Sequence, residues 1–427
     1  MTTRQASSRN IWAWVPSLYF AEGLPYVVVM TVSVIMYKRM GISNTDIALY
    51  TSWLYLPWVI KPLWSPIVDL LKTKRLWIVG TQFVIGVALA CVALTIPMPG
   101  FFRYTLAIFW LMAFSSATHD IAADGFYMLA LEQHQQAALV GVRSTFYRVA
   151  MITGQGILVV IAGQFEVTRG IAFAWSITFG ILAALFILFF IYHKFILPYP
   201  ASDKPTLHDN SSGVLPEFFR VFVLFFKKKN ILLILAFLLL FRFAEAQLVK
   251  LVSPFLLDAR DKGGLGLTTS EVGIVYGTVG ILALTLGGLL GGYVASRGGL
   301  KAWLWPMVLA IHLPDVAFIY LSHAQPTDLF LINAAVAVEQ FGYGFGFTAY
   351  MLYMIMISEG EHKTAHYAIC TGFMALGMMI PGMFSGWLQE TIGYRDFFVW
   401  VVASTIPGFI VAGLVKIDGD FGKKKPA

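Results

Sequence analysis

Charge is scarce in this chain. Asp, Glu, Lys and Arg make up 12% of its 427 residues, about half of what a soluble globular protein carries. That shortage excludes a soluble domain of this size. Cysteine is scarcer still. Cys91 and Cys370 both fall in apolar stretches, which excludes a disulfide framework and reads them as packing residues. No GxxxxGK[ST] run occurs, and the glycine-rich Gly287–Gly292 lies in an apolar segment where it reads as helix packing. ATP-driven pumping therefore has no motif to rest on. HExxH and Cys/His clusters are missing too. His119, His193, His312 and His366 are too scattered in the sequence for a metal site. No metal, cofactor or catalytic residue is expected. The N-terminus, MTTRQASSRN, lacks a signal-peptide cleavage pattern, and the apolar stretch after it is too long for an h-region.

What is abundant is apolar. Hydrophobic residues make up 58% of the chain, with 12 Trp, 18 Tyr and 35 Phe to furnish interface belts. Twelve apolar segments, each near the roughly 20 residues a bilayer span needs, run at about 11–37, 45–70, 77–97, 103–131, 139–164, 170–197, 230–257, 269–296, 302–322, 328–358, 364–390 and 395–415. The polar stretch 198–229 divides them six and six. The expected fold is an all-α membrane protein of two six-helix lobes around a central cavity. The N-terminal lobe is 1–197, a cytoplasmic linker 198–229, the C-terminal lobe 230–415 and a cytoplasmic tail 416–427. With both termini inside, the inner segments hold 18 basic residues and the outer loops seven. This asymmetry supports that orientation, and it explains the net charge of +7 without any nucleic acid.

The halves echo each other. Tyr19-Phe20-Ala21-Glu22-Gly23 resembles Arg242-Phe243-Ala244-Glu245-Ala246 at an offset of 223 residues, and Tyr127-Met128-Leu129 meets Tyr350-Met351-Leu352 at the same offset. Thr45-Asp46-Ile47-Ala48 matches Ser270-Glu271-Val272-Gly273 with a slip of two. Three matches in the same order suggest parallel six-span repeats, an arrangement of two-lobed transporters with a site between the lobes.

Ionisable residues inside apolar spans are costly and mark function. The central stretch is Ser116–Met128, where Asp120 and Asp124 lie one turn apart on one helix face beside His119. Two carboxylates so close seldom both ionise in a low dielectric, so they are the first candidates for proton coupling, with Glu22 and Glu245 second. A rival reading places the acids near the interface, neutralised by Lys or Arg. Arg148 is the expected cationic counterpart, with Arg143 in a structural role. Pro25 is expected to kink the first span beside Glu22. Lys61 is expected to face a cavity. Arg242 and Glu245, three apart, can pair within one helix. Glu339 and Tyr343 share a face, and Gly342, Gly344 and Gly346 allow close backbone approach. Asp315 and His312 carry mainly structural weight. Substrate contacts are expected from Tyr26, Lys61, Trp53, Trp58, Arg148, Arg242, Glu339 and Tyr343, a mixed-sign, aromatic set suited to a zwitterionic or anionic solute with sugar rings.

Three stretches carry a family resemblance: Ala21-Glu22-Gly23-Leu24-Pro25, Lys61-Pro62-Leu63-Trp64-Ser65-Pro66-Ile67-Val68-Asp69, and Ser115-Ser116-Ala117-Thr118-His119-Asp120-Ile121-Ala122-Ala123-Asp124. They resemble the AmpG-type muropeptide permeases, bacterial inner-membrane proteins of the major facilitator superfamily. Acetyl-CoA transporters and some siderophore permeases share parts of the pattern. The match is specific in spans 1, 2 and 4 and weak in the C-terminal half. The loop after span 2, with Asp69, Lys72, Lys74 and Arg75, looks like a degenerate form of that superfamily's loop, which implies gating by Asp69 and Arg75. The resemblance implies a twelve-span major facilitator fold. It also implies proton-driven import of N-acetylglucosaminyl-anhydro-N-acetylmuramyl peptides into the cytoplasm for cell-wall recycling, by a monomer working through alternating access. The chain departs from the family in length, with no room for the two extra helices of some muropeptide permeases, and in having His119 where Gln is expected. The alternatives are a carrier of another bulky anion, such as acetyl-CoA or a siderophore, and an intramembrane enzyme on lipid-linked sugars.

Overall fold

A computed structural model describes residues 11–204, 211–360, 362–419 and 421–422. Among them every regular element is a helix. Ten of the described stretches are long and apolar enough to cross a membrane. One of these, Lys363–Leu414, is 52 residues long and turns at Gly393, whose φ of 78° and ψ of 167° are not helical. It therefore supplies two spans. Asn44–Trp53 and Leu56–Leu71 are each short but join across a tight turn. With that pair, the twelve apolar segments of the sequence are all accounted for.

The chain forms two compact units, Met1–Ser33 with Ile60–Phe218, and Val34–Val59 with Phe219–Ala427. In the first unit, α1 (Ile11–Val27) packs on α6 (Phe101–Ala130) and α7 (Gln133–Met151), while α5 (Lys74–Thr95) packs on α6 and on α9 (Ile171–Ile196). Leu56–Leu71, here α4, runs through Pro62 and Pro66. Trp14, Leu18, Tyr19, Phe126 and Tyr127 form the buried heart of this unit. Three residues past Pro25 the helix widens into a π-turn, Val28–Val32, before α2 (Ser33–Arg39). Pro25 itself lies inside α1, and the departure from α geometry comes at the π-turn that follows it. A second π-turn, Ile152–Ile157, links α7 to α8 (Leu158–Arg169) and packs against the first. Gly23 faces Tyr147 there, so close that an added Cβ would lie 3.1 Å from its carbonyl oxygen.

The second unit begins with the helix end at Val34 and with α3 (Asn44–Trp53), which packs on α18 (Lys363–Ala403). Ser43 caps α3 by accepting from the Asp46 N–H, and Thr268 caps α13 (Thr269–Ile274) through a capping box with Glu271. The repeat seen at Asp46 and Glu271 is thus a pair of helix starts. Within 198–229, Ser211–Phe226 is helical (α10), and its Val221 and Phe225 join the core of the second unit. The seventh span breaks at Phe241–Arg242 into α11 (Ile231–Leu240) and α12 (Phe243–Leu257). After a π-turn, Val275–Gly280, α14 (Ile281–Gly298) crosses α17 (Leu329–Ser358) at Gly287 and Gly344. An added Cβ on Gly344 would lie 2.0 Å from the Leu284 carbonyl oxygen, so the glycine-rich runs are indeed packing surfaces. The ninth span is α15 (Leu300–His312), a 3-10 turn Leu313–Asp315 and α16 (Val316–Ala324), and α19 (Ile406–Leu414) ends the last.

Candidate functional site: a charged cluster in each unit

In the first unit the acids of the sequence reading meet cations from two other helices. Lys61 Nζ of α4 forms a salt bridge with Asp120 Oδ2. Arg143 Nη2 of α7 donates to Asp124 Oδ1. Tyr19 Oη donates to the same oxygen at 3.2 Å. The Arg143 guanidinium also lies 4.2 Å from the Tyr19 ring centre and 4.6 Å from that of Tyr127, both within cation–π range. The partner of Asp124 is therefore Arg143 and not Arg148, which corrects the expectation. Residues five apart on a helix are rotated by about 140°, so 143 and 148 cannot both face one acid. Lys61 and Arg143 thus neutralise the acid pair.

Glu22 of α1 is the third acid. It is buried beside Asp120 and Asp124, and among the described residues its Oε2 has no hydrogen-bond partner. Among the described residues, the salt bridges to these three carboxylates come from two cations, Lys61 and Arg143. The ion pairs are not sealed off: Lys61 and Asp120 keep about a quarter of their side-chain surface exposed, at 26% and 23%.

One feature escaped the sequence reading. His119 and His193 stand 74 residues apart, yet Gln82 of α5 joins them. Its amide nitrogen meets His119 Nε2 at 2.9 Å and its amide oxygen meets His193 Nδ1 at 2.9 Å. Ser17 Oγ of α1 continues the chain to His193 Nε2 at 3.0 Å. All three of His119, Gln82 and His193 are buried. This polar row fixes the ring beside Asp120. The only sequence signal for it was polarity inside apolar spans.

The second unit carries its own cluster. Arg242 Nη2 donates to Tyr343 Oη, and the guanidinium lies 4.7 Å from the Phe347 ring centre. The expected Arg242–Glu245 pair does not form, since both Glu245 carboxylate oxygens lack a hydrogen-bond partner among the described residues. Arg242 sits at the helix break with φ −108° and ψ 20°, outside the register that would place it over Glu245. Glu245, Asp315 and Glu339 instead come together, each buried, with ligand oxygens within 4.8 Å of one another. Lys250 Nζ donates to Thr51 Oγ1 at 3.0 Å and lies 5.6 Å from the Tyr55 ring centre.

The remaining candidates are spread out. Arg75 donates to the Lys194 and Leu197 carbonyls at the end of α9 and stacks on Tyr199, 3.8 Å from its ring centre, while Asp203 caps the start of α5. Asp69 lies on α4, but its side chain falls outside those described. Trp53 is exposed, and Tyr26, Trp58 and Arg148 are half-buried. A groove of about 450 Å³ is lined by Leu76, Trp77, Leu111 and Phe114 with Lys72 at its edge, and none of the clustered charges borders it.

The profile of the Major Facilitator Superfamily matches residues 17–357. The chain belongs to this superfamily. It is a multi-pass membrane transporter by that membership, and AmpG-type permeases are among its relatives. It is 26% identical over 404 residues to the Anhydromuropeptide permease of Escherichia coli K12, covering 92% of this chain and 77% of that one. It is 25% identical over 413 residues to Putative transporter AmpG 4 of Rickettsia conorii, covering 92% and 94%. Among solved structures, a point mutant of the nucleoside transporter NupG superposes with a TM-score of 0.72 at 15% identity, covering 94% of this chain and 99% of that one. The inward-open xylose transporter XylE from E. coli gives 0.69 at 13% identity, covering 96% and 97%. At such identities the structures establish the fold.

Proposed function

We propose that this transporter is a proton-coupled importer of muropeptides in the bacterial cytoplasmic membrane, with both termini inside and no enzymatic step. The carrying observation is the cluster of the first unit. Lys61 answers Asp120, Arg143 answers Asp124, and Glu22 is left beside them with an oxygen that no described residue satisfies. Three negative charges against two positive ones leave one in excess, and an unbalanced charge in a span is expensive. One proton removes the excess. Coupling is therefore assigned to Glu22 acting with Asp120 and Asp124, with Glu22 the group that gains and loses the proton. The acid pair, first in the sequence reading, becomes the frame that holds it.

For the cargo, support comes from the relatives' names. The partly exposed Lys61–Asp120 pair would offer a cation and an acid to the carboxylates and amines of a peptide. Half-buried Tyr26 would offer a ring to a sugar face.

The test is uptake of labelled anhydromuropeptide into proteoliposomes, with and without an inward proton gradient. Gradient-stimulated uptake is expected. Glu22→Gln should abolish the stimulation while counterflow exchange of the same cargo persists. Uptake that ignores the gradient would overturn coupling. Gradient-driven uptake of acetyl-CoA or a siderophore, and not of muropeptide, would overturn the cargo and leave the coupling standing.

A further inference from the structure

The charged groups of the second unit have no part in that proposal, and their geometry is of a different kind. Glu245 stands on the first turn of α12, Asp315 ends the 3-10 turn that interrupts the ninth span, and Glu339 sits in the middle of α17. Each is 1% exposed. Their oxygens converge within 4.8 Å. Among the described residues, both oxygens of Glu245 and both of Asp315 have no hydrogen-bond donor, and Glu339 receives only the amide of Gln340, at 3.0 and 3.3 Å. Buried polar atoms are seldom left without a partner, and four at one point is a concentration that calls for one.

Asp315 is the telling residue. Pro314 and the 3-10 turn break α15 from α16, and the break places this carboxylate inward against the other two. An acid built into a helix break, wholly buried and without any donor, costs stability unless something positive meets it.

We propose that Glu245, Asp315 and Glu339 form a binding site for a hard, calcium- or sodium-sized cation. Carboxylate oxygens are hard donors, and a shared ion held at about 2.3–2.6 Å from each would bring them to the observed separation. Magnesium is smaller and demands shorter, octahedral contacts. The charge count fits as well. Of the three carboxylates, Glu245 lies near the Arg242 guanidinium, which is already bonded to Tyr343 and offsets one negative charge. Two negative charges remain, which one calcium ion balances. A sodium ion balances them if one carboxyl also carries a proton. Tyr276, from the π-turn Val275–Gly280, stands beside Glu339 and Gln340 and closes the polar surroundings.

The experiment is equilibrium binding to the purified full chain in detergent, by scintillation proximity, with radioactive calcium in one arm and radioactive sodium in the other. Saturable binding of about one ion per chain is expected in one arm, and which arm it is identifies the ion. Even an outer-shell change at a metal site costs roughly 10–100-fold in affinity, so Asp315→Asn should weaken binding by at least about tenfold. Glu339→Gln should do the same and serves if the first variant does not fold. Asp396→Asn, an exposed acid on α18, should leave binding unchanged. Magnesium should compete poorly. No saturable binding of either ion by folded wild-type protein would overturn the site. So would binding that survives both carboxylate variants, and magnesium competing as well as the bound ion would overturn the size assignment.

Discussion

At the scale of single residues, the partner of Asp124 decides much of the chemistry. Arg143 holds its place by a salt bridge and by lying over two tyrosine rings. A lysine keeps the charge but is a strongly hydrated point that fits such a sandwich poorly. Cation–π contacts contribute roughly 0.5–1 kcal/mol each at part-exposed sites. Arg143→Lys should therefore lower stability by about 1–2 kcal/mol, seen as a lower melting temperature in detergent. Arg148→Lys should change it by less. Equal losses would return Arg148 to the role that the sequence reading gave it. The ionisable residues themselves were all legible, because an acid or base in an apolar run stands out. Their pairing was not. Lys61 meets Asp120 across 59 residues, and Asp315 meets Glu245 across 70. Helical periodicity says which residues share a face, but helix rotation and tilt choose what that face meets.

At the scale of elements, the glycines of α14 and α17 make a sharper claim. The run Gly287–Gly292 and the glycines from 342 to 346 read as close-packing surfaces from sequence, since small residues let membrane helices approach. The structure adds which glycine matters. A Cβ on Gly344 would meet the Leu284 carbonyl at 2.0 Å, whereas one on Gly288 would find its nearest neighbour at 3.6 Å. Overpacking costs about 1–3 kcal/mol and sometimes more, and here the obstacle is backbone that cannot rotate away. Gly344→Ala should lose most of its monodisperse protein on heating to a temperature that Gly288→Ala and wild type survive, as read by size-exclusion after a thermal challenge. Equal survival would mean that the two helices slide apart freely. The same scale shows what the sequence could not give. The break at Arg242 is a conformational choice at a residue with no proline beside it, so no local signal marked it, whereas the turn at Gly393 falls in the gap between the expected spans 364–390 and 395–415.

At the scale of the whole molecule, the number of spans was legible because length is a sum over many residues and survives local errors; loop charge is a sum of the same kind, and the orientation it points to is an expectation. The orientation can be tested at one crossing. Lys204 and Lys262 are both exposed and lie either side of Ile231–Leu257, a 27-residue apolar stretch. At 1.5 Å per residue it rises about 40 Å, enough to cross a hydrocarbon core of about 30 Å. Among the described residues between Lys204 and that crossing, the one helix is α10, whose 16 residues rise about 24 Å. It falls short of a span and packs Val221 and Phe225 into the second unit. One crossing separates the two lysines, so they must lie on opposite sides. The basic run Lys227-Lys228-Lys229 immediately precedes the crossing, and basic residues beside a span favour the cytoplasmic side. With exposed Cys91 and buried Cys370 replaced, Lys262→Cys should react with an impermeant maleimide from the outer side of the membrane. Lys204→Cys should react only once the membrane is opened. The reverse pattern would invert the orientation; cargo would still follow the proton gradient, because symport moves both solutes the same way whichever face of the protein is outside.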